Sequence, residues 1–97
     1  MKVIYFAAAK EELDGAIAYY DGKREGLGDE FYDEVQNAIE RIKALPNAWS
    51  IVAKNSRLRK THRFPYGLVY QVRSRVVYVI AVMHLHRRPG YWKKRLK

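Results

Sequence analysis

HRFPYGLVYQVRSRVVYVIAVMHLHRRPGYW, residues His62 to Trp92, holds two consecutive runs of strand-forming residues joined by Arg73-Ser74-Arg75. That short polar break predicts a β-hairpin. The second arm, Val76 to Met83, is apolar at every position except for the hydroxyl of Tyr78. A strand without alternation is covered on both faces, so this arm is expected in the middle of a sheet, with the rest of the chain packed against it. It runs directly into His84-Leu85-His86-Arg87-Arg88, which puts titratable and cationic groups where the strand leaves the core.

Upstream, Arg57-Leu58-Arg59-Lys60-Thr61-His62-Arg63-Phe64 alternates. Read as one strand, it places Leu58 and Phe64 on one face and Arg57, Arg59 and Arg63 on the other. On the next strand Tyr66, Leu68, Tyr70 and Val72 join Leu58 and Phe64, leaving Val69, Gln71 and Arg73 opposite. Lys60 and His62 fall on the apolar side by parity, which calls for an edge position or a bulge. Pro65 suits a corner at Phe64-Pro65-Tyr66-Gly67, where its missing N–H does little harm. Trp49 to Val52 reads as a brief strand or a packed loop, with Trp49 plugging the core.

Nearer the N-terminus, Lys2 to Phe6 is a short β-rich run. From Ala8 the period changes: Ala9, Leu13, Ala16, Ile17 and Tyr20 share one helix face, and Glu11, Glu12 and Asp14 are expected in water. Gly26-Leu27-Gly28 makes a turn. A second helix then begins near Asp29 and Glu30, whose carboxylates suit the positive end of its dipole. Phe31, Val35, Ala38, Ile39, Ile42 and Leu45 form its apolar stripe, and Pro46-Asn47 stops it. The expected architecture is α+β: an N-terminal strand, a helical hairpin, then an antiparallel β-meander, with the helices on one face of a four-stranded sheet. Residues 1–97 read as a single domain with one modest core.

Charge divides the chain. All ten acidic residues lie in the first 40 positions with four basic ones, a net −6, while residues 41–97 carry fifteen basic side chains and no acid, a net +15. Such a split points to a polyanionic partner, either nucleic acid or an acidic protein segment. The absence of cysteine excludes disulfides and thiolate metal sites. The N-terminal apolar run is too short for a signal sequence or a membrane span, so a cytoplasmic protein with no membrane attachment is expected.

Among chemical constellations, the arginines assigned to the open sheet face (Arg57, Arg59, Arg63, Arg73) stand out, because guanidinium groups bind phosphate with two prongs. Val69, Tyr91 and Trp92 offer apolar and stacking surface nearby, or Trp92 pins the C-terminal tail to the core. His84 and His86 point the same way, but no carboxylate follows Glu40 to complete a metal site, so neither metal nor cofactor is expected. A neutral His there suits acid–base chemistry on a phosphodiester. Neither a phosphate-binding glycine loop nor a hydrolytic triad is present.

The order of these elements, with Phe64-Pro65-Tyr66, the Tyr70 strand and His84-x-x-Arg87-x-Pro89-x-x-Trp92-x-x-Arg95, resembles the RelE/ParE toxins of bacterial type II toxin–antitoxin modules, also called plasmid stabilisation proteins. The helical portion, from Glu12-Leu13 through Tyr19-Tyr20 and Leu27-Gly28 to Pro46, is similar as well. The resemblance implies a growth-arresting toxin held inactive by a cognate acidic antitoxin. Members similar to RelE cut mRNA on the ribosome; members similar to ParE poison DNA gyrase. A metal-independent ribonuclease of this kind would use Arg63, His84, Arg87, Tyr91 and Lys60 in catalysis and Arg57, Arg59, Arg73, Arg88 and His86 to hold RNA. With no acid beyond Glu40, its base would be His or Lys among arginines that stabilise the pentavalent phosphate. A non-toxic RNA-binding module is the third alternative.

Overall fold

In the computed structural model, which describes residues 1–96, the elements in chain order are β1 (Lys2–Tyr5), α1 (Ala7–Lys23), α2 (Leu27–Ala44), β2 (Ile51–Ala53), β3 (Ser56–Lys60), β4 (Tyr66–Arg73) and β5 (Val76–His84). A short 3₁₀ turn over Lys93–Arg95 closes the chain. The α+β class is as the sequence implies, but the sheet has five strands rather than four, in the order β1-β5-β4-β3-β2. The fifth strand is Ile51–Ala53, one of the two forms the sequence left open for that stretch. It pairs antiparallel with β3 through a turn in which Lys54 and Asn55 both have positive φ, 48° and 62°. Ser74 and Arg75 repeat this geometry between β4 and β5, with φ of 51° and 65°. Two-residue turns of this hand match the twist of paired strands.

The two helices lie against one face of the sheet. Ala9, Leu13 and Ala16 of α1 and Phe31, Val35, Ala38, Ile39 and Ile42 of α2 are buried there. Leu45, expected in the same stripe, lies just past the end of α2 and is 61% exposed. The helix backbones come together at Gly28, whose N–H donates to Asp21 Oδ1 at 2.7 Å. A Cβ at this position would lie 2.5 Å from the carbonyl oxygen of Ile17, so only glycine fits the crossing.

β5 is an interior strand, flanked by β1 in parallel and β4 in antiparallel. Its register with β4 jumps from Val69↔Ala81 to Tyr70↔Val79, leaving Ile80 as an extra residue. This bulge resets the phase of the strand. Val77, Val79 and Val82 turn toward the helices, while Tyr78, Ile80, Ala81 and Met83 turn to the other face.

That other face is not the basic surface expected from alternation. Leu58 pairs with Val69 and packs on this side, in a second apolar layer with Ile80, Ala81 and Met83. The C-terminal segment covers the layer, with Trp92 only 3% exposed and Tyr91 and Leu96 beside it. Because Leu58 faces away from the helices, parity sends Arg57 and Arg59 to the helical side, opposite Tyr70 and Leu68. The strand expected to run from Arg57 to Phe64 stops at Lys60. Thr61 turns the chain there: its N–H donates to the Tyr66 carbonyl at 2.9 Å, and its hydroxyl lies 3.0 and 3.2 Å from the carbonyls of Tyr66 and Phe64. No helix among the described residues is long and apolar enough to cross a membrane.

Candidate functional site

Where β1 ends, the backbone ladder on that side of β5 loses its partner. The last ladder contact is the Phe6 N–H to the Val79 carbonyl, at 2.9 Å, after which the chain turns into α1. Two side chains continue the ladder. Glu12 of α1 accepts the Val82 N–H at 3.0 Å, and Arg95 donates to the Ile80 carbonyl at 2.9 Å. Groups left unpaired in this half-buried strip would each cost about 1–3 kcal/mol, which explains why a charged pair occupies the gap.

The Glu12 carboxylate is a hub. It also accepts two guanidinium bonds from Arg95, at 2.9 and 3.0 Å, and the Tyr91 hydroxyl at 2.6 Å. Burial alone would raise its pKa, but the bonds from Arg95, Tyr91 and the Val82 N–H outweigh that and hold it below the usual carboxylate range. Burial pushes the Tyr91 phenol well above its ordinary value, and the hydrogen bond to Glu12 adds to the shift. At neutral pH this Tyr is therefore a fixed donor. Glu12, expected in water, is the polar residue that sequence reasoning missed. The signal available was its place one position from Leu13 at the border of the apolar stripe of α1.

Of the residues proposed for catalysis, three gather around this hub. His84 ends β5 on the helical face, its ring 5.1 Å from that of Tyr66 and 5.0 Å from that of His86. Its Nδ1 accepts the His86 N–H at 3.1 Å. The Arg87 guanidinium lies over the Tyr91 ring at 4.0 Å. A cleft of about 310 Å³ separates α1 from the end of β5 and is lined by Glu12, Tyr19, Tyr66, His84 and Arg87. His86 and Arg88 are exposed beyond the strand end.

The remaining candidates lie elsewhere. Arg63 adopts φ 70° in the β3–β4 loop and donates to Glu30 at 2.8 Å, beside Arg24 on the same carboxylate. Lys60 lies in a second cleft on the far face of the sheet. Arg57 donates to the Trp49 carbonyl at 2.6 Å, and Arg59 stacks over the Trp49 ring at 4.6 Å. Burial, then repulsion from Arg41, lowers the Arg59 pKa. Arg73 stacks on Tyr78 at 4.4 Å, on the face opposite the helices. The arginines assigned to one sheet face are thus split among two faces and a loop, because β3 ends at Lys60 and the turn at Thr61 breaks the alternation that tied Leu58 to Phe64. Among the described residues no group of three or more His, Asp or Glu side chains is placed to hold a metal ion.

A helical hairpin on a mixed sheet in which β1 and β4 flank an interior β5, with a basic C-terminal segment folded over the far face, is the architecture expected of the RelE/ParE class of small toxins. A solved structure described as the chromosomal ParDE TA system from P. aeruginosa superposes on 87% of this chain and 95% of its own, with a TM-score of 0.63 and 16% identity. At that identity the likeness is one of fold. The family model for the ParE toxin of the type II toxin–antitoxin system, parDE, matches residues 3–89. The chain belongs to the ParE toxin family. No curated protein matches it. The matched span takes in Glu12, His84 and Arg87 and stops short of Tyr91 and Arg95.

Proposed function

We propose that this ParE-family toxin acts by binding, with DNA gyrase as its target, and not by cutting RNA. The observation that carries this reading is the engagement of several side chains assigned to a nuclease. Tyr91 is held by Glu12, Arg63 by Glu30, and Arg57 and Arg59 by Trp49. A general base works best with a pKa near the operating pH, and the carboxylate in the cleft is shifted the other way. Gyrase inhibition asks only for a binding surface. The cognate partner in this reading is an acidic antitoxin segment, matched to the +15 of residues 41–97. Titrating the purified chain into gyrase with relaxed plasmid tests the target: a dose-dependent loss of supercoiling is expected, and unhindered supercoiling at molar excess overturns the reading.

The second reading is a ribosome-dependent ribonuclease. It is favoured by one feature, the placement of His84 and Arg87 together at the cleft of about 310 Å³ beside α1. In that reading His84 takes the 2′-OH proton and Arg87 steadies the phosphate.

A further inference from the structure

On the far face of the sheet, between β3 and the C-terminal segment, lies a cleft of about 350 Å³ with an apolar floor and a cationic rim. Leu58, Met83, Leu85 and Trp92 form the floor. Glycine at 67 makes this floor possible: a Cβ there would stand 2.7 Å from Leu58 Cδ1 and 3.3 Å from Leu85 Cδ2, displacing the side chains that close the bottom of the cleft. Lys60, Arg87 and Lys93 rise around the opening, and no acidic residue lines it. None of these three cations takes part in an ion pair among the described residues, where carboxylates are instead matched to Lys10, Arg24, Lys43, Arg63 and Arg95.

We propose that this cleft binds a small amphipathic anion, a carboxylate carried on one ring or on a short branched hydrocarbon. The volume lies at the small end of the range for ligand sites, about 300–1,000 Å³, which suits a single ring and excludes a helix. A neutral hydrocarbon would fill the floor and leave three unmatched cations at the rim. A bare phosphate would satisfy the rim and leave the floor wet. Only a ligand with both parts satisfies the whole lining, with Lys60 and Lys93 offering point charges on the rim that Arg87 completes. The inference does not depend on which macromolecule the toxin attacks.

Indole-3-acetate, indole-3-acetamide and inorganic phosphate are the probes, titrated separately into the purified full chain and followed by amide NMR shifts. Indole-3-acetate is expected to give saturable shifts confined to Leu58, Met83, Leu85 and Trp92, with affinity roughly tenfold above that of the uncharged acetamide. Lys60→Gln and Lys93→Gln are each expected to weaken the acetate about threefold or more and to leave the acetamide unchanged, with the spectra themselves reporting that the fold is intact. Equal affinity for acid and amide would overturn the proposal, as would the absence of saturable shifts in the cleft. Displacement of the acetate by an equal concentration of phosphate would also overturn it, and would make the cleft a phosphate site.

Discussion

Glu12 and Arg95, 83 positions apart, meet in a two-pronged ion pair at 2.9 and 3.0 Å, with side chains only 17% and 16% exposed. The pair ties the first helix to the last turn of the chain. It also satisfies the two backbone groups of β5 that β1 is too short to reach. The C-terminal cover over the second apolar layer is thus locked at its far end by a residue near the start of the sequence.

Replacing Glu12 by Gln is expected to destabilise the fold by about 2–3 kcal/mol, because a largely covered guanidinium loses its counter-charge and the Val82 N–H is left with a weaker, neutral acceptor. Glu30→Gln is the control: its partners Arg24 and Arg63 are more than half exposed, and water replaces the lost bonds. Urea unfolding should show a clear loss of midpoint for the first variant and little change for the second. Equal midpoints would mean that the hub is not structural.

Acid should act through the same residue. Glu12 titrates lower in the folded chain than its ordinary 4.5, so its contribution is present above that pH and is lost as the pH falls from 4.5 through the folded value. Stability of the native chain is expected to fall across this window, and the Glu12→Gln variant should show a shallower fall. Parallel curves for the two proteins would refute the assignment.

Tyr91→Phe separates a structural from a chemical role for the phenol. Loss of the 2.6 Å bond to Glu12 is expected to cost about 1–2 kcal/mol and to raise the Glu12 pKa toward its ordinary value. Growth arrest on induced expression should persist in this variant, because the hydroxyl is committed to Glu12. A folded Tyr91→Phe protein that no longer arrests growth would make Tyr91 a functional group.

Much of the fold was legible because periodicity survives where elements are long. The stripes of α1 and α2 and the uninterrupted run of β5 are read directly from residue spacing. The errors cluster where one residue changes the phase. The end of β3 at Lys60 removes Arg63 from the sheet and leaves Arg57 and Arg59 on the helical side. Leu58 was paired by parity with Phe64, but the turn at Thr61 intervenes. Strand β2 was ambiguous because its turn uses Lys54-Asn55 where glycine would have marked a hairpin.

The candidate site was half legible. His84, Arg87 and Tyr91 come together as their crowding beyond the last strand suggested. Glu12 could not be joined to them from spacing, because the contact crosses from the first helix to the last turn. The conclusion that no acid lay near the C-terminal cluster followed from chain position, and chain position is a poor guide to neighbours across a sheet.

Binding to gyrase without cutting of RNA, the function proposed for this toxin, is decided by one paired assay. The purified chain is added to gyrase with relaxed plasmid and, at the same concentration, to ribosomes programmed with a defined mRNA. Blocked supercoiling beside intact mRNA is expected, with the His84→Gln variant still inhibiting gyrase. Cleaved mRNA beside unimpaired supercoiling, with cleavage abolished in His84→Gln, would contradict it.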